Sequence, residues 1–112
     1  MNPSPVMRPV DLAEFSAEKM GKTTLYRSEH VLVGLNAFEP GQSHALHAHA
    51  GMDKVYHVLQ GAGTFLLGDA ETPMTTGDLM IAPADVPHGI RNDGTGRLVV
   101  LAILTPAPEV RP

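Results

Sequence analysis

Glycine and proline interrupt this chain so often that no long helix fits into it. Eleven glycines and ten prolines fall among 112 residues. Proline removes a backbone donor and clashes with the preceding helical turn, and glycine loses the most conformational freedom on folding. Between the interruptions lie short segments rich in β-branched, aromatic and apolar residues. Turn chemistry at intervals of about 8–12 residues is the signature of an all-β sandwich or barrel. Strands are expected over residues 23–28, 30–38, 43–49, 55–60, 64–67, 71–75, 79–82, 89–92 and 98–104. Pro40-Gly41 marks a turn, while Gly68-Asp69-Ala70 and Asp93-Gly94 read as hairpin turns. The segment from Val10 to Met20 has helical composition and Asp11 can cap a turn, so a short helix or an edge segment is expected there.

A chain of this length holds one hydrophobic core. The expected organisation is an N-terminal arm or edge segment over 1–22, one barrel over 23–105 and a flexible tail over 106–112, whose three prolines keep it from extending a sheet. There is no tryptophan, so the core must be built mainly from Val, Leu, Ile, Ala and Met. The absence of cysteine excludes disulfides and thiolate metal sites. A net charge of −4, with the eight Lys and Arg residues scattered, argues against a nucleic-acid partner. No apolar run reaches the eighteen residues of a membrane helix, and the N-terminus lacks a basic region followed by an apolar stretch, so a soluble, cytoplasmic protein is the expectation. No phosphate-binding loop, dinucleotide fingerprint or nucleophile elbow is present.

The chemistry concentrates in the histidines, five of which lie between residues 44 and 88. His47 and His49 are two apart, and on a strand residues i and i+2 share a face, so both imidazoles aim at one point. A third donor, His88, would complete a site for a divalent transition metal, since imidazole suits zinc, copper, iron and nickel. By the same parity His44 faces the other way and is expected to be exposed, and His57, opposite in parity to Lys54, reads as structural. Met20, Met52, Met74 and Met80 have no ligand-like spacing and read as core filler.

Two stretches resemble the paired motifs of the cupin superfamily. The first motif is glycine, five residues, His-x-His, three or four residues, glutamate, six residues, glycine; Gly41, His47, His49 and Gly61 match it. The second is glycine, five residues, proline, x, glycine, two residues, His, three residues, Asn; Gly77, Pro83, His88 and Asn92 match it, with fifteen residues separating Gly61 from Gly77. The chain departs from the pattern twice. Asp85 stands at the second motif's inner glycine, where aspartate tolerates a left-handed turn better than most residues. Lys54 stands at the metal-binding glutamate, and a protonated ammonium has no lone pair to give. Asp53 could supply a carboxylate only if a turn or bulge faced it inward.

The resemblance implies a double-stranded β-helix, or jelly-roll barrel, with the histidines inside its mouth. It further implies a homodimer and a three-histidine site for iron, manganese, nickel, copper or zinc, its fourth position open or occupied by water. Dioxygenase, isomerase and decarboxylase chemistries occur on similar scaffolds. Lys54 facing outward would be an ordinary solvated lysine; facing inward, as the family register implies, it would either weaken metal binding or meet an anionic small-molecule ligand such as a carboxylate or phosphate, with Tyr56 on the same face. The alternative to a metalloprotein is a metal-free module that binds or senses an acidic small molecule. Phe38, Val58, Phe65 and Met80 are expected to form an apolar wall of the pocket, and Arg91 and Arg97 its rim. Ligating imidazoles must be neutral, so metal affinity is expected to fall below about pH 6.5.

Overall fold

A computed structural model describes residues 5–109; the first four and last three residues, and with them parts of the expected arm and tail, lie outside the described residues. After one 3-10 turn, Pro9–Leu12, nine strands follow: β1 (Gly21–Arg27), β2 (Leu32–Phe38), β3 (Ser43–His47), β4 (Asp53–Gln60), β5 (Ala62–Leu67), β6 (Ala70–Thr75), β7 (Leu79–Ala82), β8 (His88–Arg91) and β9 (Leu98–Thr105). They pair antiparallel into two sheets, one in the order β1-β2-β9-β4-β7 and the other in the order β3-β8-β5-β6. This is the double-stranded β-helix that the motifs implied.

Strand alternation decides what lies between the sheets. Along β4, Lys54, Tyr56 and Val58 are buried while Val55, His57 and Leu59 on the other face are only half-buried. The core cluster combines Phe38, Tyr56, Val58, Phe65, Met80, Ile90, Leu98 and Val100 with smaller residues. Full burial of each large side chain here stabilises the fold by about 2–3 kcal/mol. The methionines divide accordingly: Met20, Met74 and Met80 belong to the core, and Met52 is half-buried outside it. Phe38, Val58, Phe65 and Met80, expected to wall the pocket, belong instead to this core and do not line the cavity beside the histidines.

Turn chemistry explains the close approaches. Gly61 has φ of +91°, and a Cβ there would stand 2.3 Å from the carbonyl oxygen of Arg97, so only glycine fits. Asp85 takes φ of +68° in place of the motif glycine. The stretch at Asp93-Gly94 is not a hairpin: β8 pairs with β3 and β5, and β9 with β2 and β4, so the chain crosses here between sheets. Buried Asn92 organises that crossing. Its amide donates to the carbonyls of Phe38 (3.2 Å) and Gly96 (3.0 Å), and its Oδ1 accepts from Gly94 N–H at 3.2 Å. Arg91 and Arg97 do not line the pocket. Arg91 pairs with Glu71 and Asp93, and Arg97 pairs with Glu39 and covers Phe15 at 4.2 Å.

Candidate metal centre

Three imidazoles converge where β3, the segment after it and β8 meet. His47 ends β3, His49 follows in the turn and His88 opens β8, opposite His47 in register. One nitrogen of each lies within 4.8 Å of the others. Ring centroids are 4.3 Å apart for His47 and His88, and 5.0 Å for His47 and His49. The tautomers are set by the backbone. His47 Nδ1 lies 2.8 Å from the carbonyl of Ala45, and His88 Nδ1 lies 3.0 Å from that of Val86. A carbonyl only accepts, so both Nδ1 atoms carry the proton and both Nε2 atoms present a lone pair. The Nε2 atoms of His47, His49 and His88 are all buried without a hydrogen-bond partner. Buried polar atoms are ordinarily paired. Three unpaired lone pairs at one point therefore fit a divalent transition ion, and this histidine group could hold one.

Burial keeps these imidazoles neutral. It is the largest cause of the lowered pKa of His49, which falls to about 4 with help from Lys54 and the neighbouring histidines. His47 and His88 are lowered by burial too, against the raising effect of their carbonyl partners. Protons therefore compete less for these nitrogens, below the ordinary imidazole value of about 6.5, than they would for free imidazoles.

A fourth histidine joins them, against the parity argument. His44 pairs with Ile90 and His47 with His88, so three steps along β3 match two along β8. The extra residue is a bulge, which returns His44 to the inner face. Gly89 makes room for it: a Cβ there would lie 2.6 Å from the carbonyl of His44. The His44 ring stacks on His47 at 4.1 Å, its Nδ1 is buried without a partner, and burial lowers its pKa to about 3.

Lys54 points inward. Its side chain is only 8% exposed, its ammonium sits 5.0 Å above the Tyr56 ring, and it takes no part in the ion pairs among the described residues. Desolvation, with Lys22 nearby, lowers its pKa to about 8. Asp53, the carboxylate next to this position in sequence, is exposed and accepts the Ala84 N–H at 2.9 Å, bracing the turn before β8. Tyr56 is fully buried and its hydroxyl has no partner; burial raises its pKa well above the phenolic range. Its ring lies 6.0 Å from His88 and 5.9 Å from Phe65, linking the site to the core. His57 lies on the opposite, outward face of β4 and takes no part in the site.

Beside the histidines is a cavity of about 270 Å³ that His44, His47, His49 and Lys54 share with Lys22, Asn36 and apolar residues of β2 and β9. Lys22, Thr23 and Asn36 were not singled out by spacing, because the register that brings them there is set by strand pairing.

With this geometry in view, comparison with known proteins settles the family. The Cupin_2 cupin-domain model matches residues 34–104. The chain is a cupin. A protein of Streptomyces coelicolor is 30% identical over 107 residues, spanning 92% of this cupin and 99% of its relative. The chain covers little more than half of two other curated relatives, 53% of one from Methanocaldococcus jannaschii and 59% of protein SchB from Streptomyces halstedii. Among solved structures, TT1209 of Thermus thermophilus superposes with a TM-score of 0.89 at 35% identity, covering 94% of this cupin and 100% of that chain. A predicted oxalate decarboxylase of Thermotoga maritima superposes with a TM-score of 0.74 at 26% identity, covering 77% and 79%. Among the described residues no helix is long and apolar enough to cross a membrane.

Proposed function

We propose that this cupin is a metal-binding protein in which His47, His49 and His88 hold one divalent ion, iron, manganese, nickel, copper or zinc, facing a small-molecule ligand in the barrel mouth. The observation that carries this reading is the set of three buried, unpartnered Nε2 atoms, two of them held in the ligating tautomer by backbone carbonyls. When bound, such an ion supplies Lewis acidity or, if redox active, a place for dioxygen. Dioxygenase or isomerase chemistry on a small organic molecule is the reading we favour. The chain's own contribution is positioning. The carbonyls of Ala45 and Val86 fix the imidazole rings, Lys54 offers a buried cation to the ligand, and Tyr56 packs behind them, its ring against His88 and under the Lys54 ammonium.

A second reading, a metal-free module that binds an acidic small molecule, draws on one specific feature. The position that carries glutamate in the family motif carries an inward lysine, which removes an anionic ligand and adds positive charge. Cobalt(II) titration separates the two. The metal reading expects a saturable visible spectrum at one equivalent, lost in His47→Ala; a silent titration, or one unchanged by that substitution, favours the second.

Assembly as a homodimer is part of the proposal. The outer face of the five-stranded sheet leaves Leu79 64% and Ile81 49% exposed beside half-buried Val55, Leu101 and Ile103. A second copy would cover that apolar face. Light scattering should give a mass near twice 11.9 kDa; a monomer would refute the assignment.

A further inference from the structure

The cavity beside the histidines is lined along the inner face of the five-stranded sheet. Gly34 and Ala102 are register partners in adjacent strands, and their small size leaves the floor open. Leu32 and Leu104, also partners, form an apolar flank. Across that floor stand two cations. Lys54 pairs with Leu104 from the β4 side, and Lys22 lies opposite Asn36 at the β1 end. Cross-strand partners present their side chains to the same face, so Lys22 and Asn36 form one polar corner.

No Asp or Glu is among the described residues lining this cavity. Asn36 is only 5% exposed and its amide nitrogen has no acceptor. A site built this way has two cations, a spare amide donor and no anion of its own. An oxyanion at each end supplies what is missing, with an apolar linker crossing Gly34 and Ala102. At about 30 Å³ per water, 270 Å³ is the room of roughly nine waters, enough for a small organic acid.

We propose that the ligand of this cupin is a small aliphatic dicarboxylic acid, one carboxylate held by Lys54 and the other by Lys22 and Asn36. The proposal rests on the reading of the barrel mouth as the ligand site and adds the ligand's charge, length and polarity. Charge-assisted hydrogen bonds to buried donors are the strong ones, and a mismatched neutral group leaves the buried cation uncompensated.

The test uses three probes with the same skeleton: adipate, its monoamide and its diamide, titrated calorimetrically into the full chain at pH 7 and low ionic strength. Metal-free and zinc-loaded protein are run in parallel, with zinc content measured on each sample. Adipate should bind tightest, and each carboxylate replaced by an amide should weaken binding by about tenfold or more. Lys54→Met and Lys22→Met should each reduce adipate to the affinity that the wild type has for the monoamide. Lys22 is exposed, so its variant keeps the fold in any case. Equal binding of the three probes, binding of none, or unchanged adipate affinity in both variants would overturn the proposal. A protein that retains zinc and shows no charge preference refutes the dicarboxylate alone. One that discriminates the probes and takes up no zinc refutes the metal site alone.

Discussion

Replacing Lys54 with methionine should make the metal-free protein more stable. The ammonium is buried and forms no ion pair among the described residues, and desolvation is the first cause of its pKa falling from 10.5 to about 8. A shift of that size corresponds to about 3 kcal/mol of disfavoured charge. The cavity at its tip admits water, which screens part of this, so about 2 kcal/mol is the working figure. Methionine keeps the apolar stem in contact with its surroundings and leaves no partner unsatisfied. For a domain of this length, about 2 kcal/mol raises Tm by roughly 8 °C. The pH dependence gives an independent check. The unfolded lysine binds its proton up to about pH 10.5 and the folded one only to about 8, so between those values the unfolded state holds more protons. Wild-type stability should therefore gain, relative to Lys54→Met, as pH rises from 8 to 10.5, and the difference between the two proteins should shrink. Urea denaturation of both proteins at about pH 7 and pH 10, after chelation, measures this directly. A destabilised variant, or a difference that does not change with pH, would mean that Lys54 is paired or solvated and that the inward, uncompensated cation is wrong.

The remaining predictions concern the histidines and the turn. Metal affinity should fall as pH drops toward about 4, the lowered pKa at which His49 protonates, and metal retention unchanged below that value would mean that the histidines are not the ligands. The same lowering makes the unfolded chain bind more protons below pH 6.5, so stability of the metal-free fold should be full above that value and decline toward pH 4, as acid titration followed by circular dichroism would show. Asp85→Gly should change stability by no more than about 1 kcal/mol in either direction, because it relieves φ of +68° but loses the bond that Asp85 Oδ1 accepts from Gly51 N–H. Asp85→Val, forced into the same turn, should cost at least about 1 kcal/mol, and a neutral valine would contradict the strained geometry.

Much of this was legible in the residues. Turn chemistry located the strands, because a Pro or Gly needs no tertiary context to end one, and the spacing of His47, His49 and His88 within two motifs identified the imidazoles that converge. The failures share a cause. Strand parity assumes an unbroken ladder, and the bulge in β3 returned His44 to the inside, where the sequence places no marker except Gly89, whose missing Cβ permits the close approach. Asp93-Gly94 has the composition of a hairpin, yet the chain crosses between sheets there, and only Asn92 hints at it by supplying hydrogen bonds that a hairpin would not need. Phe38, Val58, Phe65 and Met80 do face inward, but into the packed core and not the cavity; alternation gives the face of a strand and not the position along it where a cavity opens. Lys22 and Asn36 were invisible singly because their meaning comes from being opposite one another across β1 and β2.

Metal content tests the three-histidine centre most directly. Protein purified without added metal, and the His88→Ala variant prepared alongside it, should be analysed by elemental mass spectrometry. Close to one equivalent of a single transition ion in the wild type, and none in the variant, is the expected result. A wild-type protein that carries no metal and takes up none when offered iron, manganese, nickel, copper or zinc would contradict the three-histidine centre and leave the inward lysine as the dominant feature of the site.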